Sequence, residues 1–227
     1  MNRRPRSAIL ACVLGLVVPG LGHLYVGRAA RFGIAAILCL AGLAALALLG
    51  ALSTFAGYVA LITALAALYL FSIVDPPLLA RRIETFAPKW YNRWYGYAAW
   101  VVVVILFNGV FPEAREPVLG YGTYRLPSAI MAPAIASGEI VLADTRAYRS
   151  RAPAIGDVVV VRGPSSGILF VRRVAMARDA SSRLLVTDDP MGGGVPELAG
   201  VSADHLVGQV TYVLYSPTWN RIGRRVE

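Results

Sequence analysis

Apolar positions gather in long unbroken runs over the first half of this chain and recur in short segments over the second. Phe32 to Leu52 and Gly57 to Val74 carry no charged residue and are separated by Ser53-Thr54-Phe55-Ala56. Each approaches the ~20 residues that a helix needs to cross hydrocarbon, so the pattern predicts a helical hairpin. A third run, from about Trp94 to Phe111, centres on Val101-Val102-Val103-Val104-Ile105-Leu106. Trp90, Tyr91, Trp94 and Tyr95 stand at its entry as an aromatic belt of the kind found at headgroup level. The first run, Ala8 to Val26, differs, because Pro19-Gly20 and Gly22-His23 interrupt it where a spanning helix is continuous.

Beyond Phe111 the pattern turns to short apolar stretches punctuated by Gly, Pro and Ser, which is the signature of a β-rich domain. Strands are predicted near Gly122 to Leu126, Glu139 to Asp144, Asp157 to Arg162, Leu169 to Ala177, Arg183 to Thr187 and Leu206 to Tyr215. Pro112-Glu113-Ala114-Arg115-Glu116-Pro117 reads as a linker, Pro164-Ser165-Ser166-Gly167 as a turn and Gly192-Gly193-Gly194 as a loop. Roughly 110 residues suffice for one small core. The expected division is residues 1–31 as a cytoplasmic or re-entrant segment, 32–111 as three transmembrane helices with a basic cytoplasmic loop at 75–93, and 112–227 as an exported β-rich domain.

Composition and charge sharpen this picture. Hydrophobic residues make up 57% of the chain and charged ones 15%, well under the ~25% charged content of ordinary soluble domains. Residues 1–111 hold nine basic residues against Asp75 and Glu84, whereas residues 112–227 hold 13 arginines against 11 acids. The overall +9 is therefore mostly a membrane-topology signal, and nucleic acid is not an expected partner. Were Ala8 to Val26 to span, the clusters at Arg28/Arg31 and Arg81 to Arg93 would face outward, against the positive-inside rule. With that run re-entrant or interfacial, all three basic clusters lie in the cytoplasm and three spans deliver the β domain outside. Cys12 and Cys39 both fall in apolar runs, which leaves the exported part without thiol chemistry or disulfides. A cleaved secretory signal is not expected, since no small-residue cleavage site follows the arginine-rich start.

The candidate chemistry sits in Leu126-Pro127-Ser128-Ala129-Ile130-Met131-Ala132-Pro133. This stretch resembles the nucleophile box of bacterial type I signal peptidases (leader peptidases), with Ile130 where the attacking serine belongs. The resemblance continues in order through Gly138 to Asp144, Pro153 to Val160, Phe170-Val171-Arg172-Arg173-Val174, Val201 to Val210, and Tyr215 to Arg221. It implies an α + β protein, transmembrane helices followed by a mainly β signal-peptidase-like domain. In the family a neutral lysine takes the serine proton; Arg172 stands at that position, and a guanidinium stays protonated and offers no lone pair. The only lysine in the chain is Lys89. The family's third box falls on Thr187 to Gly200, where Gly193, Val195 and Glu197 replace its serine, aspartate and arginine. Ser128 matches the family serine that helps stabilise the oxyanion, and it also fits a turn serine bonded to its own backbone.

The resemblance implies a catalytically degenerate membrane protein of the bacterial inner membrane that binds leader peptides or assists a functional signal peptidase, with Leu126, Ser128, Ile130 and Met131 lining a peptide groove. Two alternatives stand beside it. One is an active peptidase using Ser128 and His205, the exported part's only histidine; the other places function in the membrane part, with the β domain as scaffold. No cofactor or metal is expected. His23 lies in Pro19-Gly20-Leu21-Gly22-His23-Leu24-Tyr25-Val26-Gly27-Arg28, which resembles a glycine-rich signature of small bacterial membrane modules of unclear function. Its glycines suit close helix packing, and His23 reads as an interfacial polar residue without the neighbours a metal would need.

Overall fold

A computed structural model describes residues 6–83, 86, 88–126, 131–132, 134–149, 151–163, 167–177, 183–187, 199–202 and 205–226. The chain divides into two compact units: one holds residues 1–48 and 59–114, the other residues 49–58 and 115–227.

The first unit is helical. Helix α1 (Ala8–Val17) starts at Ser7, whose hydroxyl accepts from the Leu10 amide, and it stops before Pro19. Its ten residues rise about 15 Å, half of a hydrocarbon core. The short α2 (Leu21–Tyr25) follows, and then α3 (Ala29–Leu48), α4 (Phe55–Arg82) and α5 (Trp94–Leu119). Among the described residues, α3 and α4 are long and apolar enough to cross a membrane, and α5 opens with a shorter apolar stretch, Trp94–Gly109.

Two helices run on past their predicted ends. Helix α4 continues through Asp75-Pro76-Pro77 to Arg82, shortening the basic loop expected at 75–93. Pro76 has no amide for the Ser72 carbonyl. That carbonyl lies against Gly15, where any Cβ would overlap it. The Ser72 hydroxyl accepts from the Gly20 amide at 2.7 Å and donates to the Gly15 carbonyl at 3.3 Å. Gly15 and Gly20 thus pack closely on α4 in the turn before the proline pair.

Helix α5 runs through the stretch that reads as a linker in sequence. Its last turn belongs to the second unit, where outside donors occupy its terminal carbonyls: Thr145 donates to Glu116 at 2.8 Å, and Arg146 and Arg149 donate to Val118 and Pro117. Orphan carbonyls satisfied in this way hold a helix end together. Gly120 closes it in the left-handed region at φ +78°, with its amide on the Glu116 carbonyl.

The second unit is a seven-stranded antiparallel sheet in the order β1-β2-β7-β3-β4-β5-β6. Its strands are β1 (Tyr121–Arg125), β2 (Ile140–Asp144), β3 (Val158–Arg162), β4 (Leu169–Ala177), β5 (Arg183–Thr187), β6 (Ala199–Ser202) and β7 (Leu206–Tyr215). All but β6 follow the predicted segments closely. No local pattern marks β6, which is four residues long and defined by pairing with β5. Central β3 explains its own run of valines: Val158 and Val160 enter the larger core with Val141, Val171, Val210 and Val213, while Val159 and Val161 pack on the opposite face with Val174 and Phe170. A strand covered on both faces has no polar side to show.

The tip of the α3–α4 hairpin belongs to this unit. The Thr211 hydroxyl donates to the Ser53 carbonyl at 2.8 Å, the Ser53 hydroxyl donates to Asp144 at 3.4 Å, and Tyr58 meets Tyr121 edge-on.

Candidate functional site

The segment that carries the family resemblance lies in the loop between β1 and β2. Two backbone hydrogen bonds close its neck, Leu126 N–H to the Glu139 carbonyl at 2.9 Å and Gly138 N–H to the Leu126 carbonyl at 2.7 Å. Ile135 N–H bonds the Met131 carbonyl. Leu126 and Met131 are each 6% exposed and Ile135 is fully buried, all three in the larger core. The loop is therefore pinned by apolar anchors at both ends. Ser128 and Ile130 lie outside the described residues.

Beneath the loop sits a group the sequence does not advertise. Glu139, fully buried, accepts from Arg221 Nε at 2.6 Å, from the Ala136 amide at 2.8 Å and from the Ser216 hydroxyl at 2.8 Å. Arg221 Nη2 donates in turn to the Ala134 carbonyl at 2.8 Å. One carboxylate thus joins the loop to the C-terminal segment after β7. Burial, the largest single influence, pushes the Glu139 carboxyl up, but the bonds from Arg221, Ala136 and Ser216 together outweigh it and hold the group below the ordinary glutamate range. In sequence Glu139 is one acid among thirteen. Its one cue is an acid opening a predicted strand, which is not distinctive.

Arg172 occupies the β4 position that the resemblance assigns to the base. It is 5% exposed, donates to the Val171 carbonyl at 2.8 Å and lies over the Phe170 ring at 5.2 Å. Burial lowers its pKa from an arginine's ordinary value, yet a guanidinium starts so high that it stays a cation at working pH. Register fixes its direction. Arg172 pairs with Val159 and Val171 with Val160, and successive side chains on a strand point to opposite faces. Arg172 therefore projects from the Val159 face, while Leu126 and Met131 pack on the Val160 face. His205 directly precedes β7; its Nδ1 is buried and has no hydrogen-bond partner among the described residues.

A second polar cluster lies in the helical unit. His23, expected at an interface, is fully buried; its Nε2 shares a hydrogen bond with Asp75 Oδ2 at 3.2 Å, and Arg31 Nη1 reaches both Asp75 oxygens at 3.2 Å. The rings of Phe32 and Phe71 flank the imidazole. Gly22 lets α2 approach α4, since a Cβ there would press on the Ala11 carbonyl at 2.5 Å and on Pro76 at 2.9 Å. The Pro19 to Arg28 signature thus packs a buried histidine against the acid that precedes the Pro76-Pro77 pair. No group of three or more metal-binding side chains occurs among the described residues.

No protein-family model matches the chain, and no curated protein matches it.

Proposed function

We propose that the chain is a signal-peptidase-like membrane protein that recognises extended leader peptides with its sheet domain and does not cut them. The observation that carries the reading is the placement of Arg172: a buried cation on the sheet face opposite the Leu126 and Met131 anchors. It can neither accept a proton nor reach the loop side. The lone lysine, Lys89, precedes α5 and offers no substitute. A loop clamped by Glu139 and an edge strand at β1 are compatible with adding a peptide strand, a mode that needs backbone partners and shallow pockets rather than a nucleophile.

The membrane part of the reading rests on sidedness. The hairpin tip at residues 49–58 belongs to the sheet unit, so tip and sheet lie on one side. Arg28, Arg31, Arg81, Arg82 and Arg93 flank the opposite helix ends. By the positive-inside rule that end is cytoplasmic, which puts the sheet outside and makes α5 a third crossing.

The test is incubation of the full chain, reconstituted in vesicles, with a fluorescent leader peptide bearing a small-x-small site. Saturable binding with the peptide recovered whole is the expected result. Cleavage at the site would overturn the non-cutting assignment, and absence of binding would overturn the recognition itself.

A further inference from the structure

Within the helical unit, α3, α4 and α5 enclose a cavity of about 380 Å³, at the small end of the roughly 300–1,000 Å³ range of ligand sites. At one end Phe32 meets Trp100 edge-on, and Trp100 Nε1 donates to the Pro19 carbonyl at 2.8 Å. Cys39, Leu40, Leu65, Phe107 and Asn108 line the rest toward the other end. From Phe32 to Leu40 α3 rises about 12 Å, and α5 rises as far from Trp100 to Asn108. That depth is close to one leaflet, half of a ~30 Å hydrocarbon core.

The wall is apolar, and the polar side chains on it are engaged with backbone: besides Trp100, Tyr69 donates to the Leu16 carbonyl at 2.7 Å and Asn108 to the Val104 carbonyl at 2.8 Å. A polar ligand would find little to bond. The opening is lateral, since Leu40, Val103 and Phe107 on its lining are half exposed, at 47%, 52% and 49%. In a bilayer those side chains face lipid, so what can enter is a hydrocarbon chain. An unfilled apolar void forfeits dispersion contacts on its whole wall, and an entering chain restores them.

Charge then selects the headgroup. The Phe32/Trp100 end is the end at which α3 and α5 begin, directly after the exposed Arg28 and Arg93. Arg31 is already tied to Asp75. Basic side chains at a membrane surface attract anionic lipid.

We propose that this cavity holds one acyl chain of an anionic phospholipid from the basic-side leaflet, with its phosphate toward Arg28 and Arg93. The inference rests on the membrane reading above and not on peptide recognition.

Tryptophans occur at 90, 94, 100 and 219, so Trp90→Phe, Trp94→Phe and Trp219→Phe leave Trp100 as the sole indole. This full-length protein is reconstituted in phosphatidylglycerol or phosphatidylcholine vesicles with brominated acyl chains, and quenching of Trp100 is read. Quenching at least about two-fold stronger in brominated phosphatidylglycerol is expected. Ala36→Phe, which fills the cavity from α3, should remove at least half of it. Because that variant can disturb packing, Val104→Phe fills the same space from α5 and should act alike. Arg28→Gln with Arg93→Gln should abolish the headgroup preference. Equal quenching in the two lipids, or quenching indifferent to both fillings, overturns the proposal. A protein that alkaline carbonate strips from the vesicles would overturn the membrane reading and this site together, whatever its affinity for leader peptides.

Discussion

Glu139 shows how a single residue can tie a loop to a segment far along the chain. Removing Arg221 would leave a buried carboxylate without its cation, and breaking such a pair costs about 3 kcal/mol or more. Arg221→Ala should therefore lower the stability of the sheet unit by about that amount in denaturant titration. Trp219→Ala, at an 84% exposed position two residues away, should change it by about 0.5 kcal/mol or less. The sign of the pH effect follows from the depressed Glu139 pKa. A carboxyl held lower in the folded than in the unfolded state contributes stability above the ordinary value of about 4.3. That contribution is lost as pH falls through the folded value. Stability measured against pH should fall on acidification below about 4.3, and Glu139→Gln should flatten that fall. At Arg172 the expectation concerns activity: Ile130→Ser with Arg172→Lys should restore no proteolysis, because the introduced amine would project from the Val159 face. Cleavage of a leader peptide by the double variant would show that this amine reaches the loop side.

At the scale of elements, the long helices are legible in sequence because long apolar runs without charge or turn residues read as helix, and the strands because short apolar segments between Gly, Pro and Ser breaks read as strand. The helix ends are not legible. Pro76-Pro77 and Pro112 signal a stop under local rules, but Gly15 and Gly20 pack on Ser72 just before the proline pair of α4, and Thr145, Arg146 and Arg149 supply partners from a distant segment to the last carbonyls of α5. The Glu139–Arg221 clamp is hidden for the same reason, since its members are 82 residues apart. His23 reads as interfacial because no local feature announces Asp75, 52 residues on. Glycines give a direct check on these packings. Gly22→Ala must displace the Ala11 carbonyl or Pro76, so a loss of about 1–3 kcal/mol is expected, read as a lower unfolding temperature in detergent. Gly42, in α3, has nothing within 4 Å of a built Cβ; Gly42→Ala should be neutral or slightly stabilising. Equal effects of the two would show that α2 does not pack on α4 as described.

For the whole molecule, sidedness decides between the recognition reading and one confined to the membrane part. An exported sheet meets leader peptides on the side where they emerge; a cytoplasmic sheet does not. Because Ser53 is bonded to both Thr211 and Asp144, the hairpin tip and the sheet must share a side, and one label at each reports the same answer. With Cys12→Ala and Cys39→Ala removing the native thiols, Thr54→Cys and Trp219→Cys should both react with a membrane-impermeant maleimide in intact cells. Arg82→Cys, at the basic end of α4, should react only after the membrane is breached. Labelling of Arg82→Cys alone in intact cells would invert the molecule and remove the basis for leader recognition outside. Labelling of Thr54→Cys without Trp219→Cys would contradict the Ser53 contacts, because a tip bonded to the sheet cannot lie across a bilayer from it.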